Sequence, residues 1–343
     1  MSSGLPGPDP SGQDPSGQDP SGPAGVRLVV DGGATKLLMG VVTSSGPTLQ
    51  LGRRVSVPGF QWTTGEDPVE QQCRRVAAAW EDLGAPAPVD VVALGLAGGA
   101  YDRPSRERLA PLLADRLGAR KVILTGDDVT THLGVLAGEP GVVVAAGTGV
   151  ACLAVTAGGE LVNVDGLGYL FGDAGGAFSL GLAGLRAALA GYEGRRAATV
   201  LTARAEELVG TPLRMVIKAW YRSPSLIADV AGFAAEVTAA APTDPVARAL
   251  CLAAGEELAV SVTTAVRRGF PAASDRTVPV SWAGGVLAAT VVFEAFSAGL
   301  TQLCPPATLC PPRGDSLSGA LRLAVDTNVP HLASVVVHVR EGA

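Results

Sequence analysis

The 343-residue chain is poor in charged and aromatic side chains, which make up 17% and 4% of it, and its formal net charge is −6. It contains no run of Lys or Arg, so a nucleic-acid partner or a polybasic membrane contact is not expected. No apolar stretch reaches the roughly 18 uninterrupted residues that a membrane-spanning helix needs. The first residues also lack the basic and apolar pattern of a secretory signal. We therefore predict a cytoplasmic protein without nucleic-acid or membrane partners.

Cysteine and histidine are scarce and scattered. Cys304 and Cys310 form the only close pair among the five cysteines, and each precedes a Pro-Pro step without another Cys or His nearby. The three histidines, His132, His331 and His338, are far apart in the sequence. A zinc site or a Ser-His-Asp triad is therefore not expected. The thiols are predicted to be buried or inert in a reducing compartment.

Glycine and proline are abundant, at 45 and 25 residues, yet a mean hydropathy of +0.32 is typical of a folded chain. Residues 1–25 repeat Asp-Pro-Ser-Gly three times. This low-complexity composition predicts a disordered leader, because the segment cannot bury enough apolar surface to offset its ordering entropy. The remaining length fits two domains, which we place at residues 26–138 and 139–343.

Short apolar strands alternate with helical patterns in the first half of the chain, which is typical of an α/β fold with a largely parallel sheet. The strands are predicted at residues 26–30, 37–42, 89–97, 121–125, 141–146 and 151–156. The helices between them are predicted at residues 69–83, 105–117 and 129–137. Ala- and Leu-rich helices then form an insertion at about 184–270, and a strand at 278–282 follows it.

Three glycine-rich turns each follow an apolar strand. They are Asp31-Gly32-Gly33-Ala34-Thr35-Lys36, Gly147-Thr148-Gly149 and Ala283-Gly284-Gly285. Glycine lets backbone N–H groups approach phosphate oxygens because no Cβ stands in the way. None of the turns has the P-loop pattern or the Gly-x-Gly-x-x-Gly pattern of a dinucleotide-binding unit. Their order along the chain, with acidic residues nearby, indicates a nucleotide site of another kind.

The ordered turns resemble those of the sugar kinase, heat-shock chaperone and actin superfamily, as two phosphate loops followed by an adenosine loop. Within that superfamily the chain is most similar to the N-acetylglucosamine kinase and benzoyl-CoA-reductase-activator ATPase-like group, over most of residues 26–325. The similarity includes Gly166-Leu167-Gly168 and Gly172-Asp173-Ala174-Gly175-Gly176. It implies two actin-like, ribonuclease H-like α/β domains around a nucleotide cleft, the second of which carries the helical insertion.

The same resemblance implies ATP and Mg²⁺ as cofactors and an amino sugar, glucosamine or N-acetylglucosamine, as the substrate that is phosphorylated on its 6-hydroxyl. The implied nucleotide-binding residues are Asp31, Gly32, Gly33, Thr35, Lys36, Gly147, Thr148, Gly149, Gly284 and Gly285. Asp31 is also the expected Mg²⁺ partner, since this ion prefers hard oxygen ligands. The implied sugar-binding residues are Asp127, Gly166, Gly168 and Asp173. The oligomeric state is left open, with a homodimer as one option.

Asp128 is the residue to which the resemblance gives the role of general base. It lies nineteen residues before Gly147, at the end of a predicted strand, where an ionised carboxylate would accept the hydroxyl proton. Two alternatives stay open. Asp127 and Asp128 fit the cap of a helix that begins at Val129, and Asp127 is the next candidate for the base.

The sugar-binding part of the resemblance is incomplete. Val150 and Ala151 follow Gly149 where N-acetylglucosamine kinases commonly have Ser and Asn, while Leu167 replaces a Trp. Ala174 replaces a Glu, and Phe60 stands where an Asn is expected. Glucosamine or another amino sugar is therefore at least as good a candidate as an N-acetylated one.

Two other function classes stay open. One is an ATPase that couples hydrolysis to a partner, although the chain has no cysteine pair suited to the iron–sulfur cluster of the reductase activators. The other is a degenerate nucleotide-binding regulator, which would not need both Asp128 and Asp173.

Residues 1–25 are predicted to be dispensable because they contain no apolar anchor. Their deletion is expected to leave the melting temperature and the sugar-dependent release of ADP unchanged. Differential scanning fluorimetry and a coupled ADP assay measure the two quantities. Loss of ADP release from a truncated chain that melts normally would contradict the prediction.

Overall fold

Two β-sheets flanked by helices make up the computed structural model, which describes residues 26–45, 48–61, 63–98, 102–271, 277–326 and 329–340. The predicted leader at residues 1–25 lies outside the described residues. The first sheet contains β1 (Val26–Gly32), β2 (Lys36–Ser45), β3 (Thr48–Pro58), β4 (Val89–Leu96), β5 (Ala119–Thr125) and β11 (Val336–Val339). Its helices are α1 (Pro68–Asp82), α2 (Arg103–Leu117) and α3 (Asp127–Val135).

The second sheet has five strands, one fewer than the first, and most of the helices come after its strand β8 in the chain. Its strands are β6 (Gly141–Ala146), β7 (Val150–Val155), β8 (Leu161–Asp165), β9 (Val278–Ala283) and β10 (Ala307–Leu309). The helices that follow β8 along the chain are α4 (Ala177–Tyr192), α5 (Leu201–Val209), α6 (Leu213–Trp220), α7 (Leu226–Ala240), α8 (Pro245–Gly269), α9 (Thr290–Leu303) and α10 (Ser316–Val325). The run from α4 to α8 corresponds to the predicted helical insertion.

Both sheets are mixed, so the prediction of a largely parallel sheet is wrong. The strand orders are β11-β5-β4-β1-β2-β3 and β10-β9-β6-β7-β8. In the first sheet β1, β4 and β5 are parallel, whereas β2, β3 and β11 are antiparallel to their neighbours. Likewise, β6 is parallel to β9 but antiparallel to β7. The pairs β1–β2, β2–β3, β6–β7 and β7–β8 are antiparallel because strands joined by only a few residues pair as hairpins. Strand β11 is antiparallel to β5 although the two are distant in sequence.

Four strands were not predicted from the sequence, namely β3, β8, β10 and β11. Strand β3 contains Arg53 and Arg54 and lies at a sheet edge, so its pattern is polar rather than apolar. Strands β10 and β11 have three and four residues. Segments this short are defined by the strand that they pair with, and local periodicity does not reveal them.

The last part of the chain returns to the first sheet. Strand β11 pairs with β5, and α10 packs against α3 and β1. Strands β1 to β5 therefore lie before residue 138 and β6 to β10 after it, as the predicted division requires. The segment from α10 onward, however, lies against the first sheet. The two-domain boundary itself stays a prediction.

Helix α8 is the one helix among the described residues that is long and apolar enough to cross a membrane by length and composition. However, 56% of its most apolar window is buried inside the protein, where it packs against α9 and strands of the second sheet. This degree of burial is that of a core helix.

Helix α3 lies between the two sheets and belongs to an apolar core that both sheets share. Its Val129 and Leu133 pack with Ile123 of the first sheet and with Leu153 and Val155 of the second. Separate cores fill the space between each sheet and its own outer helices. Each sheet together with the helices packed on it is called one half of the protein below. The shared core therefore fixes α3 at the junction of the two halves.

Helices α3 and α10 cross in direct backbone contact at two glycines. A Cβ at Gly319 would overlap the carbonyl oxygen of Thr130, and a Cβ at Gly134 would overlap that of Asp315. Glycine permits this approach because it has no side chain. The crossing sets the depth of α3 and brings the first residue of α10 close to the end of β1.

Substitution of Gly319 by Ala is expected to lower the free energy of unfolding by about 1–3 kcal/mol, because the new methyl group forces the two helices apart. Gly232→Ala is the matched control, since Gly232 lies in α7 with no atom within 4 Å of a Cβ at that position. This change is expected to stabilise the helix by about 0.5–1 kcal/mol. Urea unfolding measures both values, and equal effects of the two substitutions would contradict the packing argument.

Candidate functional site

The first glycine-rich turn connects β1 to β2 and is braced by the segment that follows β3. The Gly33 N–H donates to the Lys36 carbonyl oxygen at 3.0 Å, and the Phe60 N–H donates to the Gly33 carbonyl oxygen at 3.0 Å. The Gly59 N–H also donates to the Thr35 carbonyl oxygen at 3.0 Å. A Cβ at Gly59 would overlap the Gly33 carbonyl, so this brace requires glycine.

The second glycine-rich turn connects β6 to β7 and is held by the start of α4. The N–H groups of Ala177 and Phe178 donate to the carbonyl oxygens of Gly147 and Thr148 at 2.8 and 3.0 Å. Within the turn, the Gly147 N–H donates to the Gly149 carbonyl oxygen at 3.0 Å. The turn is therefore fixed by backbone hydrogen bonds.

The three turns meet at one place. The hydroxyls of Thr35 and Thr148 are 2.5 Å apart, which joins the first turn to the second. A Cβ at Gly284, whose φ is +92°, would overlap the carbonyl oxygen of Ala146, so the third turn touches the second through its backbone. Gly285 is open to solvent, with no atom within 4 Å of a Cβ there.

Two of the predicted nucleotide residues differ in their surroundings. A Cβ at Gly32 would contact the side chains of Leu96 and Leu37, so this glycine serves the packing of β1. Lys36 is exposed, and its charge lowers the pKa of Asp31. Lys36 thus lies near the acidic side of the site.

Asp31 lies at the end of β1, beside the start of α10. Burial raises the pKa of its carboxyl above the ordinary value, and the carboxylate of Asp315 raises it further. The hydroxyl of Ser316 and the charge of Lys36 lower it. Burial is the largest of these effects, so the negative charge of Asp31 is only partly compensated by the protein.

Asp127 is the first residue of α3 and faces the first turn. A Cβ at Gly33 would lie 4.0 Å from its Oδ2 atom, and its Oδ1 atom accepts from the Asp128 N–H at 3.0 Å. Burial, and then the carboxylates of Asp128 and Asp31, raise the pKa of Asp127 to about 8. This carboxyl therefore lies close to the first turn and keeps its proton to a higher pH than an ordinary aspartate.

Asp128 faces the second sheet. Its Oδ2 atom accepts from Asn163 Nδ2 at 2.6 Å, and its Oδ1 atom accepts from the Val129 N–H at 2.9 Å. The charge of Arg106 also interacts with it. Adjacent residues of a helix point in directions about 100° apart, and this separates Asp127 from Asp128.

The expected cap at the start of this helix is different. Helix α3 begins at Asp127, and its N-cap is Gly126, which makes no side-chain hydrogen bond to the helix. Both aspartates therefore lie in the first helical turn of α3, where a negative charge interacts favourably with the helix dipole. The interpretation of the pair as a cap for a helix that begins at Val129 is wrong.

Asp173 lies beside the second turn. Its φ is +62°, its side chain occupies the place that a Cβ at Gly149 would take, and only 7% of the residue is exposed. Burial raises the pKa of its carboxyl, while backbone groups of Val150, Gly166 and Gly168 lower it. Its Oδ1 atom is buried without a hydrogen-bond partner among the described residues. Gly166 and Gly168, which are predicted to bind the sugar, therefore lie beside Asp173, the acid predicted to bind it.

Three contributors to the site were not found from the sequence: Asn163, Arg106 and Ser316. Asn163 lies on an unpredicted strand, Arg106 in the first turn of α2, and Ser316 at the start of α10. Each reaches an aspartate that is distant in sequence. No local pattern in the sequence marks such contacts.

The carboxylates at the first turn fit a bound Mg²⁺. Burial makes the ionised forms of Asp31 and Asp127 unfavourable, and a nearby cation would stabilise both. No group of three or more His, Cys, Asp or Glu suited to a metal occurs in the described part of the chain. Mg²⁺ commonly takes only one or two carboxylates together with water and substrate phosphates.

The raised pKa of Asp127 predicts a pH-dependent stability difference. The carboxyl of Asp127 ionises near pH 3.8 in the unfolded chain and near pH 8 in the folded protein. Its contribution to the free energy of unfolding therefore falls as the pH rises from 3.8 to about 8. Asp127→Asn removes that loss and keeps the oxygen that accepts the Asp128 N–H. The melting temperature of the variant relative to the unchanged protein is therefore expected to increase from pH 4 to pH 8.

The exposed Asp82, at the end of α1, provides the control. Asp82→Asn is expected to show no comparable change in relative melting temperature over the same pH range. A difference for Asp127→Asn that does not depend on pH would contradict the assignment.

Solved structures of sugar kinases are similar to this chain. A candidate N-acetylglucosamine kinase from Chromobacterium violaceum has a TM-score of 0.65 at 25% identity, and the match covers 88% of this chain and 99% of that one. A candidate N-acetylglucosamine kinase from Porphyromonas gingivalis has a TM-score of 0.65 at 19% identity, with 86% and 97% covered. A ROK family glucokinase from Streptomyces griseus, solved with glucose and AMPPNP, has a TM-score of 0.57 at 19% identity, with 88% and 98% covered.

These similarities confirm the predicted α/β fold of the actin-like sugar kinases. Comparison of the sequence with curated proteins gives no match. The profile of the BadF/BadG/BcrA/BcrD ATPase family matches residues 28–305, which is most of the chain. The chain therefore belongs to the BadF/BadG/BcrA/BcrD ATPase family, a family of sugar kinase-like ATPases within the actin-like superfamily.

Proposed function

We propose that the protein transfers the γ-phosphoryl group of ATP to the 6-hydroxyl of an amino sugar. The observation that carries the proposal is the meeting of three glycine-rich turns beside the carboxyl of Asp127. The similar structures from Chromobacterium violaceum and Porphyromonas gingivalis, both named as candidate N-acetylglucosamine kinases, support the substrate class. The cytoplasmic location and the homodimer stay predictions.

Positioning of the nucleotide is the task proposed for the three turns. Backbone N–H groups and the hydroxyls of Thr35 and Thr148 are suited to phosphate oxygens. Gly284 and Gly285 are proposed to lie along the adenosine. Asp31 would hold Mg²⁺, which neutralises the phosphate charge that develops during transfer.

The general base is better assigned to Asp127 than to Asp128. Asp127 faces the first turn, where the phosphates are proposed to lie, and its raised pKa suits proton acceptance near neutral pH. The Asp128 carboxylate points away from the helix in a different direction and accepts a hydrogen bond from Asn163. The role given to Asp128 by the family resemblance therefore passes to its neighbour, which was the second candidate from the sequence.

The sugar is proposed to bind beside the second turn. The buried Oδ1 atom of Asp173 has no hydrogen-bond partner in the described part of the chain, and a sugar hydroxyl or ammonium group would satisfy it. Gly166 and Gly168 have positive φ angles and are exposed, so their backbone is accessible to a ligand. An amino sugar with a free ammonium group suits this acidic surrounding at least as well as an N-acetylated one.

A coupled ADP assay over a panel of hexoses, amino sugars and N-acetylated amino sugars tests the function. ADP release that requires an amino sugar is the expected result. Equal ADP release without any sugar would favour an ATPase that acts on a partner. Nucleotide binding without hydrolysis under all conditions would favour a regulator.

Asparagine substitutions at the two neighbouring aspartates test the assignment of the base. Asp127→Asn is expected to lower kcat by about 10²–10⁴-fold, the usual contribution of general-base catalysis. Asp128→Asn keeps an acceptor oxygen for Asn163 and is expected to lower kcat by less than about 10-fold. Steady-state kinetics and calorimetric nucleotide affinity measure the two effects. The reverse order of kcat losses would return the role of base to Asp128.

A further inference from the structure

A hydrogen bond between Asn163 and Asp128 joins the two halves of the protein beside the candidate site. Asn163 lies on β8, at the edge of the second sheet, and its Nδ2 atom is 2.6 Å from Asp128 Oδ2 on α3. Because an ionised carboxylate only accepts hydrogen bonds, the amide is the donor. The bond is charge-assisted, and bonds of this type are stronger than those between neutral groups.

An arginine from each half interacts with one partner of this hydrogen bond. The Arg268 guanidinium on α8 donates to the Asn163 carbonyl oxygen at 3.0 Å, and the charge of Arg106 on α2 interacts with Asp128. A polar chain therefore runs from an outer helix of the first half to a core helix of the second. Its central bond is the one between Asn163 and Asp128.

The bond lies close to the core shared by the two halves. Leu161, two residues before Asn163 on β8, packs against the same core as Val129, which follows Asp128 on α3. A further polar link, at the first and second glycine-rich turns, is the contact of the Thr35 and Thr148 hydroxyls. The shared core is thus suited to act as a pivot, and the two polar links are suited to open and close with the cleft.

We propose that the hydrogen bond between Asn163 and Asp128 is a latch for the closed arrangement of the two halves and that Asp128 is a positioning residue. The latch fixes the first turn of α3 and so the direction of Asp127. This part of the inference rests on the proposed function, because it takes Asp127 as the base. The existence of the latch depends only on the two halves and their contact.

Charge exchange tests the latch directly. Asn163→Asp places two carboxylates against each other and is expected to open the cleft. The reciprocal double substitution, Asp128→Asn with Asn163→Asp, restores one donor and one carboxylate acceptor and is expected to close it again. Asn163→Ala removes the bond without adding charge, and Glu160→Gln, at an exposed residue in the turn before β8, is the control.

Small-angle X-ray scattering with ADP and Mg²⁺ and steady-state sugar-dependent kinetics are the two measurements. Asn163→Asp is expected to increase the radius of gyration and to lower kcat by about 3- to 10-fold, with Asn163→Ala intermediate. The double variant is expected to return both quantities close to those of the unchanged protein. Glu160→Gln is expected to change neither.

The two proposals fail in different ways. If the unchanged protein releases no ADP with any sugar, the proposed function fails, and the scattering of the variants still tests the latch. The latch is overturned if Asn163→Asp leaves the radius of gyration unchanged, or if the double variant is as expanded as Asn163→Asp. Should Asn163→Asp not fold, Asn163→Ala replaces it, and a radius of gyration equal to that of the control overturns the latch.

Discussion

Close approach of backbone segments at glycines is the constraint on which the candidate site depends. Gly319 lies against Thr130, Gly59 against Gly33 and Gly284 against Ala146, each so close that a Cβ would overlap the neighbouring carbonyl. The first contact sets the depth of α3 and the other two bring the turns together. Since backbone contacts cannot adjust as a flexible side chain can, the turns are placed with little freedom before any ligand binds.

The carboxyls that this arrangement gathers are unfavourable for the fold in the absence of a ligand. Asp31 and Asp127 disfavour each other's ionisation in a region of reduced solvent, and Asp173 Oδ1 is buried with no hydrogen-bond partner among the residues that the structure describes. Sites with such uncompensated polar groups commonly bind cations, protons or polar ligands. The described residues therefore combine a rigid backbone frame with side chains whose charges an ATP–Mg²⁺ complex and a sugar would satisfy.

The two halves are joined by contacts of unequal strength. Apolar packing around α3 is buried and insensitive to small changes in charge, whereas the links between Thr35 and Thr148 and between Asp128 and Asn163 are exposed hydrogen bonds. Exposed polar bonds contribute less to stability than a packed core, because water competes for both partners. Under the proposed latch, this difference would let the halves separate at the cleft while the core around α3 stays packed.

Local sequence determined the strands that precede the three turns, the helical insertion and the acids near the site, because apolar periodicity and glycine act through neighbouring residues. It did not determine which aspartate faces the turns, since that depends on the start of α3 at Asp127 instead of Val129. Nor did it reveal Asn163, whose strand is defined only by pairing with β7. Sheet direction, helix rotation and contacts across the cleft were decided by tertiary packing, because they join residues that no local pattern connects.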